Sequence, residues 1–245
     1  TTTREQLLLA GAAAPAAVQA FAAANLDLVL GGTFADLPFA QRVKLPRDTL
    51  RFDPASGLFG LVPTQSGGPF DKAEVRQLLS EAIDRDGFVA ALAVPGLAPR
   101  ATLLEAGLDG IPPPTPPAWA ATAYADRVAA LQAQAGRLFG KGPKPPVRIA
   151  LPDGPGGALL LHLLERDWGQ LGLTVERSES AAAADFILVD EVAPSASPSW
   201  FVRHFRCDRV ALCDPKADEL MDGARQSPVP AQRYALLGQA AALID

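Results

Sequence analysis

Reactive side chains are scarce in this sequence. Its 245 residues hold two histidines and two cysteines. His162 sits in an apolar helical stretch with Glu165 three positions on, and no His-Glu-x-x-His zinc motif occurs. It reads as a satisfied or surface histidine. His204, between Arg203 and Arg206, reads as part of a polar rim. No Gly-x-Ser-x-Gly elbow is present, and neither is Gly-x-Gly-x-x-Gly. The glycine-rich run Asp153-Gly154-Pro155-Gly156-Gly157 lacks a following Lys-Ser/Thr, so it reads as a turn and helix start rather than a phosphate cradle. No residue is nominated as catalytic, and no metal or cofactor is expected.

Other absences narrow the class further. No apolar run reaches the ~18 residues of a membrane-spanning helix, so no direct membrane span is expected. Net charge is −5 with a pI near 5.1, and no basic patch stands out. Nucleic acid is therefore not expected as a partner. No signal peptide is visible and there is no initiator Met. The chain opens TTTREQ almost directly into an apolar segment, as an excised region of a longer protein would; a mature, processed receptor is the alternative. Cys207 and Cys213 are close enough to close a small disulfide loop worth about 2 kcal/mol, or stand as two free thiols. An exported protein favours the bridge.

What the sequence does have is a core and a pattern. It is 49% hydrophobic and 20% charged, enough for one large domain or two small ones. The 23 prolines cluster in loops, and no internal repeat is evident. Segments 5–10 and 26–30 read as strands about a helix at 13–24, a β-α-β unit ended by Gly31-Gly32. A short helix is expected at 33–43, and strands at 49–53 and 57–62. Asp71 is expected to cap a helix with Glu74 completing a capping box, and Phe70 and Val75 forming a hydrophobic staple. Val75, Leu78, Leu79, Ala82 and Ile83 make one apolar stripe. Asp84 is expected to cap a second helix that buries Phe88, Val89 and Leu92. A Pro/Gly-rich loop at 93–118, with an extended IPPPTPP core, is expected to run over the surface. Helices at 119–139, 157–171, 198–205, 215–226 and 230–244 alternate with strands at 146–151, 173–178 and 185–190. The alternation argues an α/β domain with a mixed sheet covered by helices.

The order F-D-x-x-x-V-R-x-x-L-x-x-A-I-D-R-D-x-x-V over Phe70–Val89 adds specificity. It resembles the signature segment of the family 5 extracellular solute-binding proteins of ABC transporters, the peptide- and nickel-binding type. Asp214-Pro215-Lys216-Ala217-Asp218-Glu219-Leu220 and Gln232-Arg233-Tyr234 are similar to two later helix starts of that family. The resemblance implies a periplasmic-binding-protein-like fold (type II, cluster C), with 55–245 as the C-terminal lobe. Residues 1–54 would then be a crossing segment related to a first lobe, whose main body lies upstream and whose last strands follow Asp245.

It also implies transport rather than catalysis. A peptide or other small solute would be captured in an interlobe cleft and delivered to an ABC permease, from a periplasmic or extracellular position. By the same resemblance one edge strand, Ser56, Gly57, Leu58 and Phe59, and one loop from Asp190 to Phe201 face the ligand. In that loop Asp190, Glu191, Val192, Ala193, Ser195 and Trp200 are the candidate contacts. The loop departs from the peptide-binding pattern, because Pro194 stands where those members carry the Asp that pairs with a peptide amine, and Glu191 stands at their Trp position. Asp190 or Glu191 is the candidate replacement carboxylate. The alternative function is the ligand-sensing domain of a transcriptional regulator built on the same fold.

Overall fold

The computed structural model describes residues 6–65, 67–140 and 142–245. Its sheet has four strands: β1 (Gly57–Pro63), β2 (Val147–Ala150), β3 (Val175–Arg177) and β4 (Phe186–Val192). Their spatial order is β1-β4-β2-β3. β2 runs parallel to both β3 and β4, while β1 adds antiparallel to β4 at the edge. The sheet is thus mixed, as expected. β2 and β3 are joined through helix α6 (Pro155–Gly169), a β-α-β crossover.

Proline and aspartate set the helix starts. Pro155, Pro198, Pro215 and Pro230 occupy the first residue of α6, α7 (Pro198–Val202), α8 (Pro215–Gln226) and α9 (Pro230–Ile244). The missing proline N–H is one that the first turn leaves unpaired anyway. Asp214 caps α8 by accepting from the Lys216 amide. Asp84 likewise caps α4 (Arg85–Leu92), accepting from the Gly87 amide at 3.0 Å.

The expected cap at Asp71 is not formed. Pro69–Asp71 make a 3₁₀ turn, and α3 (Ala73–Glu81) begins with Lys72 at its cap, without a side-chain bond. Asp71 turns back to accept from the Gly67 amide, and Arg76 ties down the Phe70 and Asp71 carbonyls instead. Phe70 and Val75 are both buried in one cluster.

Two hydrophobic clusters lie on opposite sides of the sheet. The first packs α3, α6 and α5 (Tyr124–Phe139) against β2 and β4 through Leu78, Leu131, Ile149, Leu164, Trp168 and Phe186. The second packs Leu58 of β1 with α7, α8 and α9 through Phe201, Val202, Met221 and Leu237. The long 93–118 loop enters this second core rather than only covering it, since Leu104, Leu108 and Ile111 are buried. Gly110, at φ +65°, lies under the Tyr234 ring, and a Cβ there would sit 2.0 Å from the ring.

The β-α-β reading of the N-terminal part is corrected. α1 (Ala14–Ala22) forms, but 6–10 and 26–30 are irregular and position 5 lies outside the described residues. Segment 49–53 is irregular too. A strand exists only where a neighbour takes its amides and carbonyls, and no described strand pairs with these three. Leu7, Leu8, Leu9, Leu28 and Leu30 are consequently exposed. The helix of 33–43 is present as α2 (Leu37–Arg42).

One buried carboxylate organises the α3–α4 corner. Asp167 is 1% exposed, accepts from the Asp84 amide at 2.8 Å and pairs with Arg166 at 2.7 Å. Tyr124 is part of the same group, and burial together with Asp167 pushes its hydroxyl up to about 12. A tyrosine raised in the folded state favours folding below its unfolded value near 10, and that contribution is lost as pH rises through the 10–12 window. Urea denaturation across pH 9–12 should therefore show a downward slope for the wild type relative to Tyr124→Phe. Parallel curves would refute the assignment.

Candidate functional site

The two segments nominated for ligand contact lie side by side. β1 and β4 pair with Gly57 opposite Val192, Leu58 opposite Glu191 and Phe59 opposite Asp190. Ser56 extends the ladder, its carbonyl accepting from the Ala193 amide at 2.8 Å. Gly57 is required here, because a Cβ would meet the Glu191 carbonyl at 2.2 Å. Arg100 holds the strand start from outside, donating to the Gly57 carbonyl at 2.6 Å and pairing with Glu105 at 3.2 Å.

Alternation along the strands gives this ribbon two different faces. On one, Phe59 meets Phe34 edge-to-face at 4.9 Å and Phe88 in a stacked contact at 5.5 Å. Asp190 stands beside Phe59 on that face. Its surroundings withdraw it from water and raise its pKa, an effect the Phe34 amide partly opposes. Among the described residues no cationic side chain lies within 4 Å of it. Phe59 keeps 40% of its surface exposed. The arrangement is a carboxylate without a counter-charge at the rim of an aromatic cluster, which suits an organic cation or ammonium group.

On the opposite face His204 lies between two oxygens, its Nε2 3.1 Å from the Glu191 carboxylate and its Nδ1 2.7 Å from the Trp200 carbonyl. Glu191 thus faces a ring that can carry positive charge, whereas Asp190 has only the Phe34 backbone amide, which separates the two candidate carboxylates. Trp200 is 6% exposed, its ring against Phe201 and His204 at 5.0 and 4.5 Å. It supports the loop from beneath. Val192 is exposed at the strand end, and Ala193 is half-buried against the second core. Ser195 accepts weakly from the Ser197 amide, and the Ala196 carbonyl accepts from Asp109, anchoring the loop to the 93–118 segment.

The glycine-rich run before α6 has a steric role. The Gly156 amide donates to the Ala35 carbonyl at 2.8 Å, and a Cβ at Gly156 would lie 2.0 Å from the Phe34 carbonyl. The space a phosphate would need is filled by the chain at Phe34–Ala35, and this docking delivers Phe34 to the aromatic cluster. His162 is exposed on α6, and among the described residues no three His, Cys, Asp or Glu side chains gather as a metal site. Cys207 and Cys213 are bridged, with Cα atoms 5.1 Å apart.

Sequence reasoning missed Asp167 and the Phe34–Phe59–Phe88 cluster. Asp167 had a signal: it falls on the same helical stripe as Leu160, Leu163, Leu164 and Trp168. The three phenylalanines had none, since only tertiary contact unites them.

No known protein-family model matches this sequence, and no curated protein is similar to it in sequence. Solved structures do share its fold. The Escherichia coli murein tripeptide binding protein MppA superposes with a TM-score of 0.77 at 18% identity, over 94% of this chain and 48% of that protein. Burkholderia pseudomallei OppA gives 0.66 at 22% identity, over 76% of this chain and 40% of that one. The periplasmic EDTA-binding protein EppA gives 0.63 at 15% identity, over 78% and 41%. The chain spans less than half the length of each. Its mixed α/β architecture is that of the periplasmic-binding-protein-like proteins.

Proposed function

We propose that this chain is one lobe of an ABC-importer solute receptor of the family 5 type, and that it acts by binding rather than by catalysis. The observation that carries the reading is the edge ribbon β1–β4. On a fold shared with peptide-binding proteins, it presents an exposed Phe59 beside an Asp190 that has no partner cation among the described residues. Ser56 to Phe59 and Asp190 to Ala193, with Ser195 behind them, form the gripping edge. The ligand is a cationic small solute or a peptide bearing a free amine, with Asp190 doing the work expected of the Asp replaced by Pro194. A second lobe of the same receptor completes the cleft, and the closed form docks on the permease. The Cys207–Cys213 bridge supports a periplasmic or extracellular setting over a cytosolic regulator.

A single lobe supplies only part of the contact, so this chain should bind a model ligand such as trilysine more weakly than micromolar. Loss of the Asp190 charge in Asp190→Asn should weaken that binding about tenfold, at the low end for a hydrogen bond to a charged group. Because the Asp190 carboxyl is raised, trilysine must draw a proton off it at mildly acidic pH. Affinity therefore rises with pH through the carboxylate range, and proton release accompanies binding. Calorimetry in two buffers of different ionisation enthalpy measures both. Affinity unaltered in Asp190→Asn, or micromolar binding by this chain alone, would overturn the reading.

A further inference from the structure

The face of the β1–β4 ribbon away from Phe59 carries a groove of about 540 Å³. Its floor is Val62, Ile187 and Val189, which alternation places on one side of the paired strands. One wall is Ala181–Ala182; the other is Val210–Ala211, inside the loop that the Cys207–Cys213 bridge closes. A smaller recess of about 140 Å³ continues from the same Val62 and Val189 toward Leu103 and Phe205. The combined hollow is within the size range of small-molecule sites.

Three polar side chains line the larger hollow, and two are already engaged. Thr64 donates to the Ala184 carbonyl, and both ring nitrogens of His204 have hydrogen-bond partners. The third is Arg209. Among the described residues no carboxylate lies within 4 Å of its guanidinium, whereas Arg206 in the same loop approaches Asp208, Asp218 and Asp222. An apolar trough with one uncompensated guanidinium is complementary to an amphipathic anion. A guanidinium meets a carboxylate through two parallel N–H donors. The single uncompensated cation on the lining matches one negative charge, so a monocarboxylate fits better than a phosphate dianion.

We propose that this groove binds an aliphatic monocarboxylate, with its chain over Val62, Ile187, Val189 and Val210 and its carboxylate on Arg209. The larger hollow lies on the face opposite the Phe59 and Asp190 side chains. The disulfide is part of the site, because it holds Val210 and Ala211 as a wall.

Octanoate titrated into the ¹³C-methyl-labelled protein tests this. Saturable shifts are expected at the methyls of Val62, Ile187 and Val210. Shortening the probe to hexanoate should weaken binding up to about fourfold per methylene removed. Octanol should bind at least tenfold more weakly than octanoate, and Arg209→Gln should bring octanoate down to the octanol level. Arg209 is exposed, so this variant keeps its fold. The double variant Cys207→Ser/Cys213→Ser should lose affinity while the methyl signals of Leu61 and Leu188, on the opposite face of the ribbon, stay in place. Shifts that do not saturate, shifts dispersed over other surfaces, or equal affinity of octanol and octanoate would overturn the proposal. So would octanoate affinity unchanged by Arg209→Gln or by the double serine variant. Asp190→Asn, which weakens trilysine binding, should leave octanoate binding intact, and this separates the two readings.

Discussion

Trp168→Ala should lower the midpoint of thermal unfolding by about 10 °C or more. The side chain is 2% exposed and lies where α6 crosses the sheet, with its ring 6.2 Å from Phe186. Truncating a buried tryptophan costs about 3–5 kcal/mol, the sum of lost transfer energy and the cavity left behind. A second penalty is added here. The indole Nε1 donates to the Leu79 carbonyl at 2.9 Å in a buried setting, and alanine leaves that carbonyl without its donor. For a chain of this size each kcal/mol corresponds to roughly 2–4 °C.

Trp119→Ala is the matched control. Trp119 is half-buried, with the guanidinium groups of Arg85 and Arg127 4.8 and 5.1 Å from its ring centre. Such contacts at partly exposed positions contribute about 0.5–1 kcal/mol, so its loss should move the midpoint by only a few degrees. Calorimetric scans of both variants decide the matter. Equal losses would mean that the Trp168 bond and packing do not act as described.

The contrast between these tryptophans bears on what a reading of residues can reach. Helices α8 and α9 were expected at 215–226 and 230–244 and are observed there. Their ends are marked locally, by Asp214-Pro215 at one start and by Ser227-Pro228 between them, so no distant contact is needed to place them. The strands expected at 26–30 and 49–53 rested on apolar residues alone, Leu26, Leu28, Val29 and Leu30 in the first and Leu50 and Phe52 in the second. A strand, however, is defined by its neighbour, and no described strand lies beside either. The Asp71 cap was displaced by an equally local competitor, the Pro69 turn, because the two motifs share the same residues.

The gripping edge was legible in part. Ser56 to Phe59 and Asp190 to Ala193 were nominated as separate segments, by resemblance. Their register, with Phe59 opposite Asp190, is a property of the sheet and could not be read from either stretch alone. Asp190 and Glu191 are adjacent in sequence and equal in charge. Only the pleat, which sends one toward the phenylalanines and the other toward His204, tells them apart. The disulfide was compatible with the cysteine spacing but was decided by the turn at 206–210, where the Arg209 and Val210 amides donate back to the Arg206 carbonyl.

Gly156→Val should detach the segment that carries Phe34 while leaving the rest of the fold intact. A Cβ at Gly156 would lie 2.0 Å from the Phe34 carbonyl oxygen, 2.7 Å from its carbon and 2.9 Å from the Ala35 Cα. All three are backbone atoms, so no rotamer change relieves the overlap; the 34–35 chain must move by more than an ångström. That movement breaks the Gly156–Ala35 hydrogen bond, exposes Ala35 and withdraws Phe34 from Phe59 and Phe88. One buried hydrogen bond and part of an aromatic side chain together are worth about 2–3 kcal/mol. Hydrogen exchange at the Phe39 and Ala40 amides of α2 should accelerate by roughly 30- to 150-fold. Amides of β2 and α3 should keep their protection, because Phe34 packs only at the margin of the first core, as a partly buried neighbour of it. The same variant reaches the site: without the Phe34 amide and ring beside it, Asp190 loses both the donor that lowers its pKa and part of the cover that raises it. Burial is the larger of the two effects, so the Asp190 carboxyl should move back toward its ordinary value as water enters. Carboxyl ¹³C titration of Asp190 measures this. An unmoved titration curve, or exchange in α2 as slow as in the wild type, would show that the glycine-rich run does not hold the aromatic cluster together.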